Sequence, residues 1–457
     1  MTPEEFRRYG HEVVDWVSDY LARPEQYPVL PKRSPGALID ALPAKAPETG
    51  EPMDAILEDF KRLIVPATTH WNHPGFMAYF GISASEPGVL AEILSAALNV
   101  NGMLWKSSPA VTELEQVTLG WLRQWLGLPQ DWFGIIYDTA STSSMHAIAA
   151  AREAADPEVR KKGALRGLVA YTSEQAHSSI EKGAISLGIG QDNVRKIPVD
   201  AEFRMRPDAL EEAIRKDKSA GLHPFFAAAT VGTTSTTSVD PVPAIAAICE
   251  KHQLWLHVDA AYAGSAMTAP EFRWAFEGCD RADSLVFNPH KWLLTPVDCS
   301  VFYTSHPDVL RKAFSLVPEY LRSQDHPRAV NLMDYGVPLG RRFRSLKLWF
   351  VMRSFGREGI AEIIREHCRL AREMATWVDA DDRFERVAPV NFSVVCFRLK
   401  GSDEQNQAIV ERVNGSGEFF ISPTVLNGKL TLRAAIGNRA TKLAHVKRLW
   451  ELICTPR

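Results

Sequence analysis

The sequence predicts an α/β fold with a mostly parallel central sheet, a small C-terminal α+β domain and an N-terminal helical arm. Three observations carry this expectation. From about residue 84 to 345, apolar strand-like runs alternate with helical stretches, the pattern of a parallel layer covered by helices. The first 83 residues instead hold two helices joined by a Pro-rich connector, and residues 346–457 open on one long helix followed by strands. The expected division is therefore 1–83, 84–345 and 346–457. A chain of 457 residues, 46% of them hydrophobic, is long enough to fill more than one core.

In chain order, residues 4–22 carry Phe6, Val13, Val14, Trp16, Val17 and Leu21 on one broad face, an amphipathic helix. A connector with Pro24, Pro28, Pro31, Pro35, Pro43, Pro47 and Pro52 follows, then a second helix over about 53–64 that ends before Pro66. These two helices have little core of their own, and the simplest surface to bury them is a second subunit. Phe133–Tyr137 reads as a strand running into Asp138–Ser144 and an alanine-rich helix to Ala155. Leu168–Tyr171 leads through a polar turn to a helix near Ser178–Ser186. Pro224–Thr230 leads through a Thr/Ser/Gly turn to the helix Pro243–His252. Leu254–Val258 ends at Asp259, and Ser284–Phe287 ends at Asn288. A long helix over 346–376, strands at Ser393–Leu399 and Lys429–Arg433, and a helix over about 440–453 complete the chain. Each polar cluster falls where a strand gives way to a helix, and in open α/β sheets that edge is where ligands bind.

Composition narrows the function classes. A net charge of −3 with both signs interspersed offers no basic block for nucleic acid, and no apolar run is long enough to span a bilayer. The acidic start, Thr2-Pro3-Glu4-Glu5, lacks the basic and apolar parts of a signal peptide. The six cysteines are scattered without a CxxC pair, so reduced thiols in a cytoplasmic protein are expected and a metal site is not.

The residues with chemistry sit at those strand ends. Lys291, in Asn288-Pro289-His290-Lys291-Trp292, follows a buried strand; desolvation there lowers a lysine's pKa and leaves an amine able to condense with a carbonyl cofactor. Thr139, Ala140 and Ser141 open a helix, where free N–H groups and the helix dipole suit a phosphate, although an ordinary Ser/Thr N-cap gives the same pattern. Asp259 ends an apolar strand and needs a cation or several donors. It lies in His257-Val258-Asp259-Ala260-Ala261-Tyr262. His177 lies in the polar turn after Tyr171, where a packed histidine is the plain alternative.

Taken in order, these segments resemble the aromatic amino acid decarboxylases, the group II decarboxylases that depend on pyridoxal 5'-phosphate (PLP), and the resemblance extends over about residues 1–453. His70-Trp71, Met77-Ala78-Tyr79-Phe80, Ser108–Glu115 and Leu339–Lys347 are further landmarks. The resemblance implies the PLP-dependent transferase fold (fold type I, aspartate aminotransferase-like), a homodimer and an amino acid substrate. It implies that Lys291 carries the cofactor, that Asp259 pairs with the pyridine nitrogen, and that His177 stacks on one ring face with Ala261 against the other. Thr234 would touch the cofactor near its phenolic oxygen, while Ala140, Ser141, Asn288 and His290 would hold the phosphate. The substrate ring would lie among Trp71, Tyr79, Phe80, Ile82 and residues near 101–104 of a partner subunit, Met103 among them, with Gly340.

The implied reaction is decarboxylation of an aromatic L-amino acid to its amine, with Tyr320 as proton donor on a polar segment able to close over the site. In the family a tyrosine here accompanies simple decarboxylation and a phenylalanine accompanies oxidative conversion to an aldehyde. Glycine at Gly340 accompanies indole substrates in plant relatives. The chain departs from the family at Asp138, where a glycine or small residue is expected, and at Asp334–Pro338, about two residues shorter than in animal and plant members. Ile82, Asn101 and Met103 also differ from the animal pattern, and the chain looks like a bacterial member. Three other readings stay open: an aldehyde synthase on the same fold, a decarboxylase of a non-aromatic amino acid, and an inactive binding module. An acidic substrate would need a pocket cation, and no pocket segment offers an obvious one.

Overall fold

The computed structural model describes residues 1–163, 166–316 and 328–455. Its strands, in chain order, are β1 (Phe76–Met77), β2 (Phe133–Tyr137), β3 (Leu168–Ser173), β4 (Val194–Ile197), β5 (His223–Thr230), β6 (Trp255–Asp259), β7 (Ser284–Phe287), β8 (Ser300–Thr304), β9 (Phe384–Arg386), β10 (Val394–Leu399), β11 (Phe420–Leu426) and β12 (Lys429–Ala435). They form a seven-stranded sheet in the order β2-β8-β7-β6-β5-β3-β4 and a five-stranded sheet in the order β1-β11-β12-β10-β9.

The larger sheet is parallel from β4 through β7, as the alternation predicts; β8 alone runs against its neighbours β7 and β2. Two antiparallel pairings leave β2 running the same way as β7, so every strand but β8 ends at one edge. β3, β6, β7 and β8 are buried along their whole length because helices cover both faces. The Ala140–Ala155 helix lies close on the sheet because it buries Ala147, Ala149, Ala150 and Ala151, side chains too small to hold it off.

The smaller sheet packs on the long helix Arg344–Ala380 and the last helix, Leu443–Cys454, through Leu370, Met374, Val395, Phe397, Leu432 and Leu449. The long helix exceeds the expected 346–376 at both ends and is broken at Gly356, whose φ of 63° and ψ of 174° are not helical. β1 comes from the N-terminal region yet pairs in parallel with β11, Phe76 opposite Phe420 and Met77 opposite Ile421.

The first helix, Pro3–Ala22, starts with a capping box between Thr2 and Glu5 and has Pro3 in its first turn. It buries no residue, and Phe6 is 70% exposed. Leu90, Ile93, Leu94 and Leu98 are also exposed on the helix Glu86–Leu98. Among the described residues no helix is long and apolar enough to cross a membrane.

Candidate active site

The edge at which β2, β3, β5, β6 and β7 end gathers the residues singled out in the sequence. Thr139 is the N-cap of the Ala140–Ala155 helix after β2. His177 follows β3, Thr234 lies in the turn after β5, Asp259 is the last residue of β6, and Asn288, His290 and Lys291 follow β7. A cavity of about 360 Å3 opens here, and Lys291, His177 and Thr234 line it with Trp71, Tyr79, Phe80 and Ile82.

Lys291 sits half-buried with its Nζ 5.1 Å from the centroid of Phe80. Burial lowers its pKa, with Asp259 opposing and Arg433 adding to the shift. Such an amine loses its proton more readily than a surface lysine and becomes a nucleophile. Phe80 stacks on Tyr262 at 4.0 Å, and Tyr262 on Trp292 at 4.5 Å, so the ring beneath the amine rests on a column of aromatic side chains.

Asp259 is 4% exposed, and its Oδ1 accepts the Ala261 N–H at 3.0 Å. The remainder of the carboxylate is suited to a cationic partner. Two residues earlier His257 is fully buried; its ring nitrogens meet Ser284 Oγ at 2.9 Å and Ser144 Oγ at 3.3 Å. This imidazole fastens the Ala140–Ala155 helix to β6 and β7. Its only sequence signal is a histidine within an apolar strand.

Two histidines have their tautomers set by backbone donors. The Ser179 N–H donates to His177 Nδ1 at 3.2 Å, so the neutral ring carries its proton on Nε2. Burial lowers the pKa of His177, opposed by Asp259 and helped by Lys291. The Cys299 N–H donates to His290 Nδ1 at 2.9 Å, and burial, then Lys291, lower the His290 pKa to about 4. His290 is thus a neutral ring whose Nε2–H is a donor. Asn288 is buried beside it, and its Oδ1 has no hydrogen-bond partner among the described residues. Orphaned buried polar atoms are rare in proteins; an acceptor oxygen does not bind an anion, so the amide would serve one by presenting its Nδ2 donors, beside the His290 Nε2–H and the turn at Ala140 and Ser141.

The turn after β5 is held by Asp240, whose carboxylate accepts the Thr230 and Met205 N–H groups at 2.7 Å each. Gly232 is required here: its φ is +86°, and a Cβ would stand 2.7 Å from the Ala263 Cβ. This geometry leaves Thr234 exposed at the cavity.

The sequence offered no obvious pocket cation, and the structure corrects that expectation. Arg433 on β12 is 3% exposed, lines the cavity, and lies with its guanidinium carbon 4.7 Å from the Phe80 centroid. Its Nε donates to Ser235 O at 3.0 Å and its Nη1 to Tyr79 O, while Nη2 has no partner among the described residues. Ser422 and Thr424 of β11 also line the cavity and were not singled out either.

Met103 and Gly340 are not among the residues lining this cavity. They belong to a neighbouring cluster, where Asn101 Oδ1 accepts the Arg341 N–H at 2.9 Å and Asn101 Nδ2 approaches Met103 Sδ at 3.7 Å. Gly340 lines a separate cavity of about 70 Å3 with Tyr137 and Asp138. Tyr320 lies outside the described residues.

The family described as "Pyridoxal-dependent decarboxylase conserved domain" matches residues 35–400. The chain is 44% identical to the aromatic-L-amino-acid decarboxylase of Bos taurus, covering 99% of this chain and 96% of that protein. It is 42% identical to the phenylacetaldehyde synthase of Arabidopsis thaliana, over 99% and 96% of the two chains. The crystal structure of Oryza sativa TDC with PLP and tryptamine superposes with a TM-score of 0.96 at 38% identity, covering 99% of this chain and 97% of that one.

Proposed function

Because this chain belongs to the pyridoxal-dependent decarboxylases, we propose that it removes the carboxylate of aromatic L-amino acids and releases the amine and carbon dioxide. It is a PLP-dependent carboxy-lyase of fold type I. The observation that carries the substrate class is the Lys291 cavity, in which the amine faces the aromatic wall of Trp71, Tyr79 and Phe80.

PLP, when bound, supplies an electron sink for the charge left at the substrate's Cα as carbon dioxide departs. The chain's own groups do the rest. Lys291 would hold the carbonyl end through its amine. Asp259 would keep a proton on the ring nitrogen, His177 and Ala261 would lie at the ring, and Thr234 would serve the phenolic oxygen. Ala140 and Ser141, with Asn288 and the Nε2–H of His290, would hold the phosphate. Arg433, the cation lining the cavity, would serve the substrate carboxylate, and Trp71, Tyr79, Phe80 and Ile82 would receive the side chain. Tyr320 returns a proton to Cα.

Met103 and Gly340 reach a site only as part of a homodimer, across from the partner's Lys291 cavity. The exposed apolar side chains on the helices Pro3–Ala22 and Glu86–Leu98 support this assembly. Six free cysteines, five of them buried, support a reducing, cytoplasmic setting.

The test is to supply PLP and measure amine and carbon dioxide from tryptophan, 5-hydroxytryptophan, phenylalanine, tyrosine and DOPA. Glycine at Gly340 leaves room that favours the indoles, so tryptophan-type substrates should lead. Turnover of an acidic amino acid with none of the aromatic ones would overturn the reading. Likeness to a phenylacetaldehyde synthase favours one second reading, oxidative release of the aldehyde, and it is scored in the same reactions by aldehyde and peroxide.

A further inference from the structure

Asp138 stands directly before the turn that the proposed function gives to the cofactor phosphate. Its Oδ1 accepts the Thr139 N–H at 2.6 Å, and Thr139 is the N-cap of the Ala140–Ala155 helix. An amide at the mouth of the turn thus donates to the chain's own carboxylate rather than outward to a ligand. The same carboxylate places a negative charge one residue from the N-cap, where a phosphate brings close to two more.

The hydrogen bonds that the nearby cations make go elsewhere, although Arg341 Nη1 has no partner among the described residues. Asp138 shares the cavity of about 70 Å3 with Arg341 and Arg344. Arg341 donates from Nη2 to Glu115 Oε1 and to Ile136 O, each at 2.8 Å. Arg344 spends two donors on Asp298, at 2.9 and 3.1 Å. Asp298 in turn precedes Cys299, whose N–H sets the tautomer of His290. Each guanidinium therefore serves a carboxylate other than Asp138, and Asp138 has no ion-pair partner among the described residues. Arg344 offsets part of the Asp138 charge through space, without a hydrogen bond to it among the described residues.

We propose that Asp138 weakens the hold of this turn on the cofactor phosphate, so that the enzyme binds PLP less tightly than the same turn without the carboxylate and exchanges it with the free pool. The inference rests on the assignment of Ala140 and Ser141 to the phosphate. It makes Asp138 a determinant of cofactor affinity acting by like charge and by occupation of one donor, with no part in bond making or breaking.

The experiment uses the cofactor-free full-length protein and two probes, PLP and pyridoxal, which differ only in the phosphate. Affinities are measured for wild type, Asp138→Asn, Asp138→Ser and Ser141→Ala. Asparagine keeps an oxygen for the Thr139 N–H and removes the charge; serine is a second neutral cap should asparagine disturb folding. The expected result is PLP binding tighter by about tenfold in the Asp138 variants, the equivalent of roughly one pKa unit of interaction, with pyridoxal unchanged. The gap between wild type and variant should narrow in about 1 M salt, which screens exposed charges. Equal shifts for both probes would mean a structural effect, and unchanged or weaker PLP binding would mean no repulsion; either overturns the proposal. Ser141→Ala separates this failure from a failure of the underlying assignment. If it lowers the preference for PLP over pyridoxal while the Asp138 variants do not raise it, only the role of Asp138 falls. If it leaves that preference unchanged, the turn does not hold the phosphate and both ideas fall together.

Discussion

Lys291, Asp259 and His177 were legible in the sequence because each interrupts a change from apolar strand to polar turn, where a charged residue has few structural uses. Lys291→Ala should abolish turnover and, after borohydride reduction, the covalently trapped cofactor; an adduct mapped to another lysine would reassign the role. Burial holds the Lys291 pKa below that of ordinary lysines. In the cofactor-free protein it should therefore be acylated at a pH where surface lysines are still protonated, and competitive labelling against those lysines checks this. Asp259→Asn removes the charge proposed to keep the ring nitrogen protonated, and kcat should fall by about 100-fold or more, roughly 3 kcal/mol in the barrier. Near-normal kcat in a cofactor-loaded variant would exclude that role. Tyr320→Phe should lower amine and raise aldehyde and peroxide, since a phenol near Cα delivers a proton before oxygen can react. An unchanged product ratio would remove Tyr320 from the chemistry. Arg433 escaped notice for a physical reason: strand β12 places it opposite Cys396 and Ser422, neither of them charged, and the groups that make its pocket, Ser235, Tyr79 and the Phe80 ring, are remote from it in sequence.

At the scale of elements, the parallel strands were readable because helices on both faces demand unbroken apolar runs. β4 is half polar at the sheet edge, β8 reverses direction, and β11 contains Pro423, so none announces itself by pattern. The break at Gly356 was hidden too, since a single glycine in a helical run signals no particular angle. The turn after β5 offers a test of how an element positions a side chain. Gly232→Ala forces a Cβ into the left-handed region and against Ala263. It should cost more than about 1 kcal/mol of stability and loosen the cofactor by moving Thr234. Thermal unfolding and PLP titration together check this; a loss of stability with unchanged cofactor affinity would separate Thr234 from binding.

For the whole molecule, the arm of the first 22 residues buries no side chain of its own, so its place in the fold depends on what it packs against. Sedimentation should give a dimer, and dilution to monomers should abolish activity; an active monomer would refute the shared site. The two-residue strand β1 has a different consequence, one that concerns synthesis. Phe76 and Met77 leave the ribosome long before Phe420 and Ile421, their partners in the smaller sheet, and every strand of the larger sheet is made in between. Phe76 can meanwhile pack on Trp71 and Val29, but Met77, whose core cluster is otherwise drawn from residues 370–454, must stay solvent-exposed or be held by a chaperone. A nascent chain stalled short of β11 should therefore be a chaperone client at Met77 even after its larger sheet has formed.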